Sequence, residues 1–101
     1  MSIVTVDPRI AAELLVERMT AMLQARLDAF ARTRHYMHIA SAVSYADSTI
    51  PQFAAEGRRA SLLRNQTWAQ AAAILADVQA GKRAVPSEAE LIAELPALTW
   101  E

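Results

Sequence analysis

The chain has 101 residues, a formal net charge of −1 and no cysteine. That length holds one domain with a modest core, and the charge excludes a binder that works through total positive charge. The missing cysteine excludes disulfides, a thiolate nucleophile and a cysteine-ligated zinc site. Two glycines and four prolines leave few places to turn, so few and long elements are expected. No apolar run approaches the roughly 18 residues of a membrane span. The opening MSIVTVDP has neither a basic start nor a long apolar stretch, so no signal peptide is expected there.

Taken in chain order, Ser2 to Val6 is β-branched and alternates weakly, which predicts an extended arm over 1–7. Asp7-Pro8 is an N-cap followed by a first-turn proline. From there Ala12, Leu15, Val16, Met19, Met22, Leu23, Leu27 and Phe30 fall on one stripe, predicting a helix over 8–34 about 40 Å long. Glu13, Glu17, Thr20, Gln24 and Asp28 fall opposite, and Asp28 with Arg32 forms a favourable i,i+4 pair. Ile39, Ala42, Val43 and Ala46 suggest a short helix over 36–46. Asp47-Ser48-Thr49 is a turn cluster in which Ser48 or Thr49 can cap a third helix over 50–80, ended by Gly81. On that helix Phe53, Gly57, Ala60, Arg64, Trp68, Ala71, Leu75 and Val78 recur at threes and fours and share a face. Gly57, Ala60 and Ser61 permit close approach of another element, with Trp68 as a bulky stop. Ser87 and Glu90 form a capping box for a last helix over 87–95, and Pro96 releases a tail, 96–101, carrying Leu98 and Trp100. The fold class is therefore all-α: an antiparallel pair of long helices, a short bridging helix and a short C-terminal helix.

Chemistry has few candidates. His35 and His38 are three apart, yet a zinc site needs further ligands, and only Asp47 is near. The serines sit in no nucleophile-elbow context, and no glycine-rich phosphate loop is present. Glu13/Glu17 and Glu90/Glu94 are spaced as solvated faces. The reading is of a non-enzyme with no catalytic residue, metal or cofactor. Nucleic acid is the rival from another class. Arg58, Arg59 and Arg64 could merge with Arg32, Arg34 and His35 into a phosphate-contacting patch, which would make a small DNA-binding regulator. Against it stand the overall charge and the absence of a helix-turn-helix glycine turn, a basic zipper or an aromatic ladder. Arg64, set in an apolar stripe one turn before Trp68, is expected to lay its stem on the core and its head in water. Gly57, Arg58, Arg59, Arg64, Trp68, Leu98 and Trp100 are thus read as protein-interface candidates, with Leu98 and Trp100 held in a groove of the same domain.

Four blocks carry a resemblance: Leu27–Tyr36 (LDAFARTRHY), Ala40–Arg59 (ASAVSYADSTIPQFAAEGRR), Arg64–Ser87 (RNQTWAQAAAILADVQAGKRAVPS) and Glu94–Trp100 (ELPALTW). In their order the chain resembles small proteins or C-terminal modules encoded in the tail gene clusters of tailed bacteriophages, near baseplate and tail-fibre genes. The resemblance implies a tail protein or a tail-fibre assembly protein. Its partners would be tail, baseplate or fibre proteins or further copies of itself. It would work in the virion tail, or in the host cytoplasm during assembly. Two departures stand out. Where such proteins tend to read Arg-Gly-Tyr-Asp, this chain has Arg34-His35-Tyr36-Met37, losing a helix-ending glycine and a helix-capping aspartate. The junction is expected to be more continuous, or held by packing. Where they tend to read Arg-Asp before the tryptophan, it has Arg64-Asn65.

Overall fold

A computed structural model describes residues 7–101 and is helical throughout its regular structure: α1 (Pro8–Arg32), α2 (Ile39–Val43), α3 (Pro51–Gln79) and α4 (Glu88–Glu94). Apart from Asp7, the expected N-terminal arm lies outside the described residues. Asp7 does cap α1, its carboxylate accepting from the Arg9 amide at 2.8 Å.

The two long helices run antiparallel, because two clusters of buried side chains pair opposite ends of them. One joins the start of α1 (Ala12, Leu15, Met19, Leu23) to the end of α3 (Ala71, Ile74, Val78), under Leu91 and Leu95 of α4 and its last turn. The other joins the end of α1 (Leu27, Phe30, Ala31) to Ala60 and Leu63 of α3, under Tyr36, Ile39 and Ala42. The result is a rod. Its radius of gyration is 16.4 Å, against about 13 Å for a compact domain of this length.

α3 buries Gly57, Ala60, Ala71 and Val78 of the face that spacing suggested, but is rotated away from its other members. The side chains at its centre are Leu63, Thr67 and Ile74, whereas Arg64, Trp68 and Leu75 are only half-buried and Phe53 is exposed. Arg64, Trp68 and Leu75 lie roughly 60–100° around the helix from Thr67, at 100° per residue. Val16 of α1 is likewise exposed. Thr67 is fully buried, and its hydroxyl has no hydrogen-bond partner among the described residues.

The ends of the elements also differ from expectation, for identifiable reasons. α1 stops at Arg32 rather than 34, and the chain turns through His35 at a φ of 70°. The His35 amide donates to the Arg32 carbonyl (3.0 Å) and the Tyr36 amide to that of Ala31 (3.2 Å). This is the bond pattern of a Schellman stop, with histidine in the place usually given to glycine. The capping role at α2 is taken from a distance: Asp28 of α1 reaches across and accepts from the Ile39 amide at 2.9 Å. Asp28 therefore serves α2 and Gln24 (3.0 Å) and forms no hydrogen bond to Arg32. α2 is shorter than 36–46, and Tyr36 precedes it. α3 starts from Ile50 without a side-chain cap; Ser48 instead accepts from the Ile50 amide at 3.1 Å within the turn.

Gly81 does end α3 as expected, at φ 74°, with Gly81 and Lys82 amides returning to the Val78 and Asp77 carbonyls. The Ser87/Glu90 capping box is formed in both directions. Arg83 grips Glu94 through two 2.8 Å bonds and ties the preceding link to the far end of α4. That grip holds the Glu94 carboxyl below its ordinary range, and the Ser87 backbone and hydroxyl do the same for Glu90.

Candidate interaction site at the turn end

The end of the rod where α1 gives way to α2 and α3 begins carries most of the long-range polar contacts. Glu56 of α3 is buried, and its two oxygens are divided between two donors. Oε2 accepts from the Arg34 guanidinium at 2.8 Å and Oε1 from the Tyr36 hydroxyl at 2.8 Å. A carboxylate taken out of water is tolerated only with such partners. Burial, and then the hydrogen bond and charge of Glu56, push the Tyr36 phenol up to about 12. The Arg34 guanidinium also lies over the ring of Trp100, 5.6 Å from its centroid, so one cation joins the buried acid to the tail.

Trp100 sits in a slot. Its ring stacks on Phe30 at 4.1 Å with planes 17° apart, and Tyr36 lies 6.2 Å away. Its indole N–H donates to the Thr33 hydroxyl at 2.8 Å. Leu98 packs on the same cluster. Arg59 holds the backbone of the tail: Nε donates to the Thr99 carbonyl (2.7 Å), and Nη2 to the Thr99 hydroxyl and the Glu101 carbonyl (both 3.0 Å).

On the other side of Tyr36, the rings of Tyr45 and Phe53 continue the aromatic surface, with successive centroids 5.6 Å apart. They line a cleft of about 380 Å³ together with Arg34, His35, Tyr36, Gln52 and Glu56. Tyr45 (42% exposed) and Phe53 (36%) present their rings to solvent at this cleft, and Met37 (75%), next to Tyr36 in the chain, and Ile50 (50%), at the start of α3, are exposed as well. The turn that follows α2 sits hard against α3 here. A Cβ on Gly57 would meet the Ala46 backbone nitrogen, and would lie 2.7 and 2.8 Å from Tyr45 C and Ala46 Cα.

The interface candidates are therefore not one surface. Gly57 makes room for the Tyr45–Ala46 turn after α2, and Arg58 points the same way, with a long 3.4 Å contact to the Ala46 carbonyl. Arg59, Leu98 and Trp100 converge on the tail slot. Among the described residues Arg64 hydrogen-bonds only to its neighbour Asn65, at 3.4 Å, and Trp68 lines a separate apolar groove with Val16, Thr20 and Leu75. The three arginines of α3 thus fan around the helix instead of merging. His38 meets Ser41 at 2.9 Å, His35 lies in the turn, and among the described residues no group of three metal-ligating side chains gathers. Glu56, the centre of the site, escaped the sequence reading. Its one signal is position: it falls four residues before Ala60, on a buried face, where a carboxylate demands a partner.

Comparison of the chain with protein-family models, with curated proteins and with solved structures finds no match in any of the three.

Proposed function

We propose that this chain is a non-enzymatic tail-module protein of a tailed bacteriophage, docking through the turn end of its helical rod onto another tail, baseplate or fibre protein. The supporting observation is the apolar surface of Met37, Tyr45, Ile50 and Phe53, displayed on a tip braced from behind by the Arg34–Glu56–Tyr36 network. Aromatic side chains and methionine on rigid backing are what protein interfaces are enriched in. The titratable groups gathered there satisfy one another, which suits bracing rather than turnover. The resemblance of the sequence blocks supplies the phage assignment. Divergence of Arg58, Arg59 and Arg64, with Arg59 engaged by the tail, argues against the DNA-binding regulator.

Two measurements test this. Mass spectrometry of purified particles from a phage encoding the chain finds it if it is a virion component. Its absence there, with fibres failing to assemble when the gene is deleted, identifies an assembly chaperone. In a pull-down from infected cells, Tyr45→Ser/Phe53→Ser should lose the captured tail protein while keeping native helicity. Absence from particles together with normal assembly of the deletion phage overturns the reading, as does sequence-specific submicromolar DNA binding at physiological salt.

A further inference from the structure

The slot that holds Trp100 is built by parts of the chain outside the tail. Phe30 and Thr33 belong to α1 and its final turn, Arg59 to α3, and Arg34 and Tyr36 are fixed by Glu56. What the slot recognises is chemically narrow. It takes an indole ring between Phe30 and the Arg34 guanidinium with its N–H on Thr33, a leucine two residues earlier, and two main-chain carbonyls on Arg59. The tail is tethered to α4 through Leu95, which is extended, and Pro96, which has no amide to donate. Between that hinge and Leu98 the body reaches the tail backbone with one 3.4 Å contact, from Arg26 to the Pro96 carbonyl.

We propose that this slot is a docking site for the Leu98–Glu101 segment of a second copy of the chain, so that two copies can exchange tails in a reciprocal, two-fold arrangement. The occupant is argued from the contacts themselves. Every hydrogen bond, the stack and the cation–π contact made by the chain's own tail are available unchanged to the identical segment of another molecule. The intramolecular tail keeps only the advantage of its tether, an effective concentration in the millimolar range for a short link. Copies brought close together, as in a repeated assembly, compete on equal terms. This inference stands apart from the phage reading, since it requires only the slot and the tail.

The test uses two full-length variants. Leu98→Ser/Trp100→Ser keeps the slot and disables the tail; Thr33→Ala/Arg59→Ala keeps the tail and disables the polar half of the slot. Each is first checked for native helicity by circular dichroism. In sedimentation equilibrium up to about 1 mM, each variant alone should remain monomeric. Their equimolar mixture should form a heterodimer with an association constant at least about ten-fold above that of either alone. A mixture that stays monomeric overturns the proposal, and so does equal self-association of the separate variants. Should the double tail variant fail to fold, Trp100→Ser is titrated with a fluorescein-labelled peptide of residues 95–101. Saturable binding that weakens when Arg59→Ala is added supports the site, and a flat anisotropy up to about 1 mM overturns it.

Discussion

The two ends of the rod are held by different physics. At the open end, Leu15, Met19, Leu23, Ile74, Val78, Leu91 and Leu95 bury one aliphatic seam, and the polar contacts there are chiefly helix caps and two surface ion pairs, Asp7–Arg9 and Arg83–Glu94. At the turn end the rings of Phe30, Tyr36 and Trp100 join an aliphatic core of Leu27, Ile39 and Leu63, with directional bonds among Glu56, Arg34, Thr33 and Arg59 fixing its geometry. The first kind of contact is forgiving of direction and sensitive to volume and charge. The second is sensitive to single atoms. Stability is thus concentrated in the pairing of α1 with α3, and geometric definition in the tip that α2 and the tail complete.

Substitutions should separate the two regimes. The largest effect is expected at the open end. Leu23 is fully buried, and Leu23→Asp places an unpartnered charge in an apolar seam. The loss is several kcal/mol, enough to leave the chain largely unfolded at 25 °C by circular dichroism. At the turn end, Gly57→Ala forces a methyl group into the Tyr45–Ala46 backbone, which cannot rotate away as a side chain can. A loss of about 1–3 kcal/mol is expected in urea unfolding, with the near-ultraviolet signal of Tyr36 and Tyr45 changing more than helicity.

A smaller effect depends on pH. The Tyr36 phenol is pushed up to about 12 in the folded chain, above the ordinary value of about 10 that the unfolded chain restores. The stability it contributes is complete below pH ~10 and is lost as pH rises through about 12. Tyr36→Phe should remove that alkaline loss, while costing about 1.5 kcal/mol at neutral pH for the broken bond to the buried Glu56 carboxylate, which keeps Arg34. The smallest change is a gain. His35 holds a left-handed backbone that glycine adopts freely, so His35→Gly should raise the unfolding free energy by about 0.5–1 kcal/mol, the relief exceeding glycine's added unfolded-state entropy.

Much of the open end was legible in the sequence because its signals are local or periodic: Asp7-Pro8, the α1 stripe, Gly81 and the Ser87/Glu90 box each act within a few residues. The face of α3 was harder to read. In a helix so rich in alanine, Trp68 and Phe53 draw the stripe toward themselves, while the buried line runs through Ala60, Leu63, Thr67, Ala71 and Ile74. At the turn end the determining contacts are non-local. Glu56 meets Arg34 across 22 residues, Arg59 meets Thr99 across 40, and Asp28 caps α2 from 11 residues away. No periodicity marks such pairs. The groove for Leu98 and Trp100 could be expected from the proline and the stranded indole, but the arginine that clamps their backbone could not.

Because Arg59 grips main-chain oxygens at Thr99 and Glu101, the tail is read mostly by its shape and only at two positions by its letters. In a library randomised over 97–101 and sorted for protease resistance, position 100 should return almost only tryptophan, and position 98 bulky aliphatics. Thr99, whose hydroxyl takes one further bond from Arg59, should show a mild preference. Ala97, whose side chain is exposed, and Glu101, which Arg59 reads through its main-chain oxygen, should drift freely, save for proline, whose ring fixes the backbone angle.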